Sequence, residues 1–128
     1  KSAASVEELE TRLRHYLEVD DFSHGWEVAK EILLLDSDNR KAKSADQTCK
    51  EKLELIYASK LGDQDAIPQV LIPPEEILWL DLDNRAGFVL AQIDGQSSFR
   101  DILLVTGMIR VDSLRILARL MREKIIGV

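Results

Sequence analysis

Over the first sixty residues the apolar positions recur at helical spacing. Val6, Leu9, Leu13, Tyr16 and Leu17 fall on one face. Ser5-Val6-Glu7-Glu8 has the form of a capping box, in which the Ser5 hydroxyl accepts from the Glu8 amide and the Glu8 carboxylate reaches back. Asp20 and Asp21 break the stripe. A second helix is predicted over residues 23–35, with Trp26, Ala29, Ile32 and Leu33 facing inward, and Asp36-Ser37-Asp38-Asn39 ends it in a turn. A third, over residues 40–61, carries a narrow stripe of Ala42, Ala45, Cys49, Leu53 and Ile56. The small residues in its first half let another helix approach closely, and Gly62 supplies a C-terminal stop.

Residues 63–80 interrupt this rhythm. Pro68, Pro73 and Pro74 forbid a continuous helix, and between them Gln69-Val70-Leu71-Ile72 is a short apolar run suited to a strand. Pro74 sits well at the first turn of a short helix holding Glu75, Glu76 and Ile77. The rhythm then resumes. Residues 84–93 place Ala86, Val89, Leu90 and Ile93 on one face with Phe88 beside it, and Asp94-Gly95-Gln96 is a turn. Ser97 or Ser98 caps a short helix carrying Phe99, Ile102, Leu103 and Val105. After the turn Thr106-Gly107-Met108, a long helix to about residue 124 buries Val111, Leu114, Leu117 and either Leu120 or Met121. The final Ile125-Ile126-Gly127-Val128 reads as a short strand able to pair with residues 69–72. The division expected is 1–62, a helical hairpin segment; 63–80, a linker with a short strand; and 81–128, a helix-turn-helix domain with a small β element. The fold class is mostly α.

Composition adds that aromatics are scarce, at 5% of a 45% hydrophobic chain, so Leu, Ile, Val and Ala must fill the core. Phe22, Trp26, Trp79 and Phe88 are the large anchors expected in it. The net charge of −6 is uneven: residues 1–80 hold 10 Lys/Arg against 17 Asp/Glu, and residues 81–128 hold 7 against 6. An acidic first half repels nucleic acid and anionic membranes, and a nearly neutral second half lacks the basic footprint of a committed DNA binder. A single cysteine, Cys49, excludes an internal disulfide and suits a reducing cytoplasm. No apolar run approaches a membrane span and no signal peptide is recognised, so a cytoplasmic location is expected. The opening Lys in place of Met is that expected of a piece of a longer protein.

Two resemblances follow from these residues. Asp21-Phe22, Gly25, Trp26, Ala29, Ile32, Leu33 and the exit Leu35-Asp36-Ser37-Asp38-Asn39 resemble the second helix of a tetratricopeptide repeat, in which the small residue after the aromatic lets two helices touch. Ser37 stands where that family usually has Pro, and one repeat cannot build the concave groove of a stacked array. From Leu80 to Val128, the motifs Leu82-Asp83-Asn84-Arg85-Ala86-Gly87-Phe88, Ile93-Asp94-Gly95, Asp101-Ile102 and Thr106-Gly107-Met108 resemble a winged-helix-like module of bacterial, myxobacterial-type regulatory and motility proteins. They are also similar to PqqD-like domains, a family in which a leader peptide adds a strand to the sheet edge.

Catalytic machinery is not evident: the chain has no nucleophile elbow, Walker loop or dinucleotide-binding glycine cluster, and no enzyme activity is expected. His15, His24 and Cys49 do not have the spacing of a zinc site, and Asp36, Asp38 and Asn39 lack the glycine and distal glutamate of a calcium loop. No metal or cofactor is expected. Lys50 and Lys52 stand near enough to lower the Cys49 pKa, but its place on an apolar stripe argues for a buried small hydrophobe.

The candidate contact residues lie in the second half. Arg115, Arg119 and Arg122 follow i, i+4, i+7 spacing and form one basic stripe, with Arg110 before them. In a DNA-binding winged helix such a stripe meets phosphates or guanine edges, but Asp112 at the helix start would repel a phosphate backbone. An Arg stripe serves equally to dock an acidic helix, including the acidic first half of this chain. Trp79, between Leu78 and Leu80, reads as packing between the halves or as part of a docking groove, with packing favoured; Asp83 and Arg85 read as structural, Asp83 as a helix cap. Val70 and Leu71 mark a strand edge open to augmentation. The function expected is non-catalytic protein–protein recognition within a larger bacterial regulatory or cell-polarity protein. A winged-helix transcription regulator and a PqqD-like leader-peptide chaperone are the alternatives.

Overall fold

The computed structural model describes residues 4–128, and among them holds seven helices and one two-stranded sheet. The chain is mostly α with a small β element, as its periodicity predicts. It divides into two compact units, the first ending at Leu53 and the second running from Glu54 to Val128. That boundary falls inside the third helix rather than at Gly62. No helix among the described residues is long and apolar enough to cross a membrane.

The first unit is built from α1 (Val6–Glu18), α2 (Phe22–Leu35) and the leading part of α3 (Arg40–Leu61). The capping box forms, with both Ser5–Glu8 contacts at 3.1 Å. Asp21 caps α2 by accepting from the His24 amide at 3.1 Å. Asn39 accepts from the Ala42 amide at 2.9 Å, and its amide group donates to Glu10 at 2.8 Å, which ties the start of α3 to α1. Leu9, Leu13, Val28, Ala29, Ile32, Ala42 and Ala45 form the core. Leu33, expected inside with them, is only partly buried. A Cβ at Gly25 would lie 3.4 Å from Cys49 Sγ and 3.6 Å from Leu17, so α1, α2 and α3 meet closely there. Trp26 is buried, and its indole N–H donates to Asp46 at 2.7 Å.

The second unit takes its core from Leu61, Ala86, Val89, Leu90, Ile93, Phe99, Ile102, Leu114, Leu117, Leu120, Ile125 and Ile126. In this unit lie α4 (Pro74–Ile77), α5 (Asn84–Ala91), α6 (Phe99–Val105) and α7 (Arg110–Arg122). Two strands, β1 (Gln69–Val70) and β2 (Ile126–Gly127), pair antiparallel with Gln69 opposite Gly127 and Val70 opposite Ile126. The predicted pairing is present but shorter than the apolar run 69–72, with Leu71 adding one further bond from its amide to the Ile125 carbonyl at 2.8 Å. Ile56, expected on the buried stripe of α3, is 41% exposed; Tyr57, Ala58 and Leu61 pack on the second core instead.

Three further expectations are corrected. Residues 63–80 do not stand apart as a linker: Pro68 is fully buried, and Ala66, Val70, Ile72, Ile77 and Leu80 pack on the second core. The carbonyls of Gln64 and Ala66 accept from the amides of Arg100 and Phe99 at 2.9 and 3.1 Å, and Arg100 Nε donates to Asp65 at 2.8 Å. Phe88 and Trp79 are not core anchors but 45% and 87% exposed. Phe88 lies off the face of α5 that Ala86, Val89 and Leu90 bury, and Trp79 lies beyond the four-residue helix α4, between Ile77 and Leu80, which supply the inward contacts. Phe99, fully buried, is the aromatic anchor of this unit, while Val105 is exposed.

Candidate functional site

The geometry of α7 creates the candidate site. This helix buries Val111, Ser113, Leu114, Ile116, Leu117, Ala118 and Leu120, and a hydroxyl pair between Thr106 and Ser113 at 2.8 Å satisfies its one buried serine. The strip left over carries Arg115, Arg119 and Arg122. These three, with Lys60 of α3 and Arg85 of α5, line a cleft of about 320 Å³ whose apolar lining includes Tyr57, Ala86, Ile116 and Ala118. Asp83 also lines it, but its carboxylate is engaged as the cap of α5, accepting from the Ala86 amide at 2.8 Å.

Asp112, at the start of α7, is not a free carboxylate. Its carboxylate is largely buried and sits between two guanidiniums, 2.7 Å from Arg85 and 3.4 Å from Arg115. A carboxylate so enclosed orders two cations on the cleft wall and offsets part of their charge. Arg119 donates to Glu123 at 2.8 Å and reaches the Asp81 carbonyl at 3.4 Å; the Glu123 carboxylate pushes Arg119 further toward its charged form. Among the described residues Arg122 makes only a long 3.8 Å contact with Glu123. Arg110 does not join the others in lining the cleft. It pairs with Glu54 at 3.5 Å and donates to Gln64 at 3.1 Å. The basic cluster therefore omits one predicted residue and adds two, Lys60 and Arg85, which lie on other helices and carry no periodic signal.

A second concavity, of about 450 Å³, is lined by Val70, Ile77, Leu80, Leu82, Gly87, Leu90, Ala91 and Ile93. In the same unit the consecutive Leu78 and Trp79 are 83% and 87% exposed. Val70 thus lies in an apolar hollow, whereas Leu71 is exposed and lays its side chain against Gly127. Residues 80–87 border both concavities, contributing Leu80, Leu82 and Gly87 to one and Asp83, Arg85 and Ala86 to the other.

The titratable residues of the first unit organise local structure. His24 Nδ1 lies 2.8 Å from Asp21, and its ring stacks on Tyr16 at 5.3 Å between centroids. Burial, reinforced by the Asp46 carboxylate, pushes the Cys49 thiol up. Lys50, a residue placed to lower it, instead pairs with Asp46 at 3.2 Å. Comparison with protein-family models, with curated proteins and with solved structures found no match to this chain.

Proposed function

We propose that the chain is a non-catalytic protein-recognition module of a larger regulatory protein, with its contact surface on the second unit. The observation that carries this reading is the exposed pair Leu78–Trp79, in a unit that also holds an apolar hollow. Large aromatic side chains are the commonest binding hot spots, and exposing one beside a leucine costs solvation that a partner's surface recovers. The order α6, glycine-containing turn, α7 and terminal strand supports a winged-helix-like reading of this unit. Capture from a lysate of the source organism tests the proposal. A partner retained by the wild type should be lost with Leu78→Ser/Trp79→Ser and kept with Leu34→Ser, which removes an equally exposed leucine from the first unit. Retention by the double variant would count against this surface.

One observation favours nucleic acid as a second reading. With Asp112 enclosed, four guanidiniums share a single cleft. The unit as a whole argues the other way, because residues 54–128 hold 8 Lys/Arg against 11 Asp/Glu. A net −3 opposes the counterion release that drives binding to a phosphate backbone. A salt-dependent shift of duplex DNA at low ionic strength, abolished by Arg115→Glu/Arg119→Glu, would promote this reading over the first.

A further inference from the structure

We infer that the cleft between α5 and α7 binds a mildly acidic peptide segment, one that presents two carboxylates across an apolar side chain. This inference rests on the protein-recognition reading and names the chemistry of the partner at a site distinct from Leu78–Trp79. Charge complementarity sets the charge of the ligand. Five cations line the cleft, and against them stand Asp83, Asp112, Glu123 and, close to Arg119, Asp81. Most of the positive charge is thus matched from within. Such a balance suits a ligand carrying one or two charges and is poor for a polyphosphate, whose affinity depends on many uncompensated cations.

The donors of the cleft are unequally engaged. Arg85 and Arg115 are committed to Asp112, and Arg119 to Glu123. Arg122 is 73% exposed with only its long contact to Glu123, and Lys60 stands exposed on the last turn of α3. Both line the same cleft, so the two cations least engaged border one hollow. The cleft also has an apolar lining. Ile116, Ala118 and Ala86 are buried or nearly so and Tyr57 is partly buried, a surface that a bare inorganic anion would leave wet. A segment with carboxylates flanking a small apolar residue satisfies both kinds of surface, and guanidinium–carboxylate pairs give it direction.

Selection of displayed random peptides about twelve residues long on the full chain tests the inference. Enriched sequences should carry at least two Asp or Glu separated by an apolar residue. Binding of one such peptide should weaken at least about tenfold in Lys60→Gln/Arg122→Gln and recover with Lys60→Arg/Arg122→Lys. Neither residue touches Asp112, so the Arg85–Asp112–Arg115 arrangement stays intact. A second measurement needs no variant: replacing the peptide's carboxylates by amides should weaken its binding to the wild type at least about tenfold. Enriched peptides without acidic residues would overturn the inference while leaving protein recognition standing. A short DNA duplex that displaces the peptide at lower concentration would overturn both. Displacement by millimolar inorganic phosphate would reassign the cleft as a simple phosphate site and also overturn the inference.

Discussion

Gly25 places the backbone of α2 close to Cys49 Sγ and to the side chains of Leu17 and Tyr16. A Cβ there would meet those atoms at 3.4–3.7 Å, so a methyl group makes ordinary contact and a branched side chain collides. Gly25→Val should therefore lower stability by about 1–3 kcal/mol through overpacking. Gly25→Ala, whose methyl makes only ordinary contact, should hold stability or raise it by up to about 1 kcal/mol through helix propensity. Urea denaturation of both variants checks the contrast. This glycine was legible in the sequence, because the Gly25-Trp26-Ala29 pattern places a small residue where helices meet. Trp79 and Phe88 were not, because size alone says nothing of direction. Four residues of α4 are too few for a period to reveal its inner face, and Phe88 neighbours Val89 on a helix that buries only one side.

Among the elements, α7 shows how a buried carboxylate is shared. Removing either Arg85 or Arg115 leaves Asp112 one partner, and both guanidiniums are about half exposed and screened by water. Each single change to Gln should cost under about 1 kcal/mol. The double change leaves a largely buried carboxylate unpaired and should cost about 1–3 kcal/mol. A double-mutant cycle in chemical denaturation should thus show a double-variant cost larger than the sum of the singles.

The pH response follows from the caps and the thiol. Glu8 and Asp21 are held below the ordinary carboxylate range, chiefly by backbone amides at their helix starts, and Asp94 by the amides of Gln96 and Ser97. Their contribution is present above the usual carboxylate pKa of about 4 and is lost as pH falls through the depressed values. Cys49 runs opposite: its raised pKa gives a contribution that declines as pH climbs beyond about 8.5. Melting temperature against pH should show a plateau between these limits, and in Cys49→Ala the alkaline decline should be shallower. The helices and the β1–β2 pairing were legible from periodicity and turn residues. The basic cleft was only half legible: spacing reveals Arg115, Arg119 and Arg122, but Lys60 and Arg85 join them through tertiary folding.

For the molecule as a whole, the position of the boundary changes its electrostatics. Divided near residue 80, the chain has an acidic half and a neutral one; divided after Leu53, each unit carries a net charge of −3. No periodic signal marks that division, because the helix runs on through it while the residues it buries change from Leu53 to Tyr57 and Leu61. Two separate cores should respond separately to damage. Phe99→Ala removes the fully buried ring of the second core and should cost about 3–5 kcal/mol there. In urea, with Trp79→Phe added so that Trp26 of the first unit is the sole fluorophore of its kind, far-UV circular dichroism should begin to fall before tryptophan fluorescence. Coincident transitions would mean that the two cores unfold together.

The loop that joins α3 to Pro68 has a practical bearing on how the chain is cut. Its carbonyls at Gln64 and Ala66 occupy amide protons at the start of α6. A fragment begun at residue 67 would hand those protons to solvent and start the helix frayed, whereas one begun ahead of Asp63 keeps the fastening. Proteases should find little purchase on residues 63–66 in the intact protein, and amide exchange at Phe99 and Arg100 should quicken once that loop is nicked. A stretch with the composition of a spacer thus serves as the clasp of the helix that follows it.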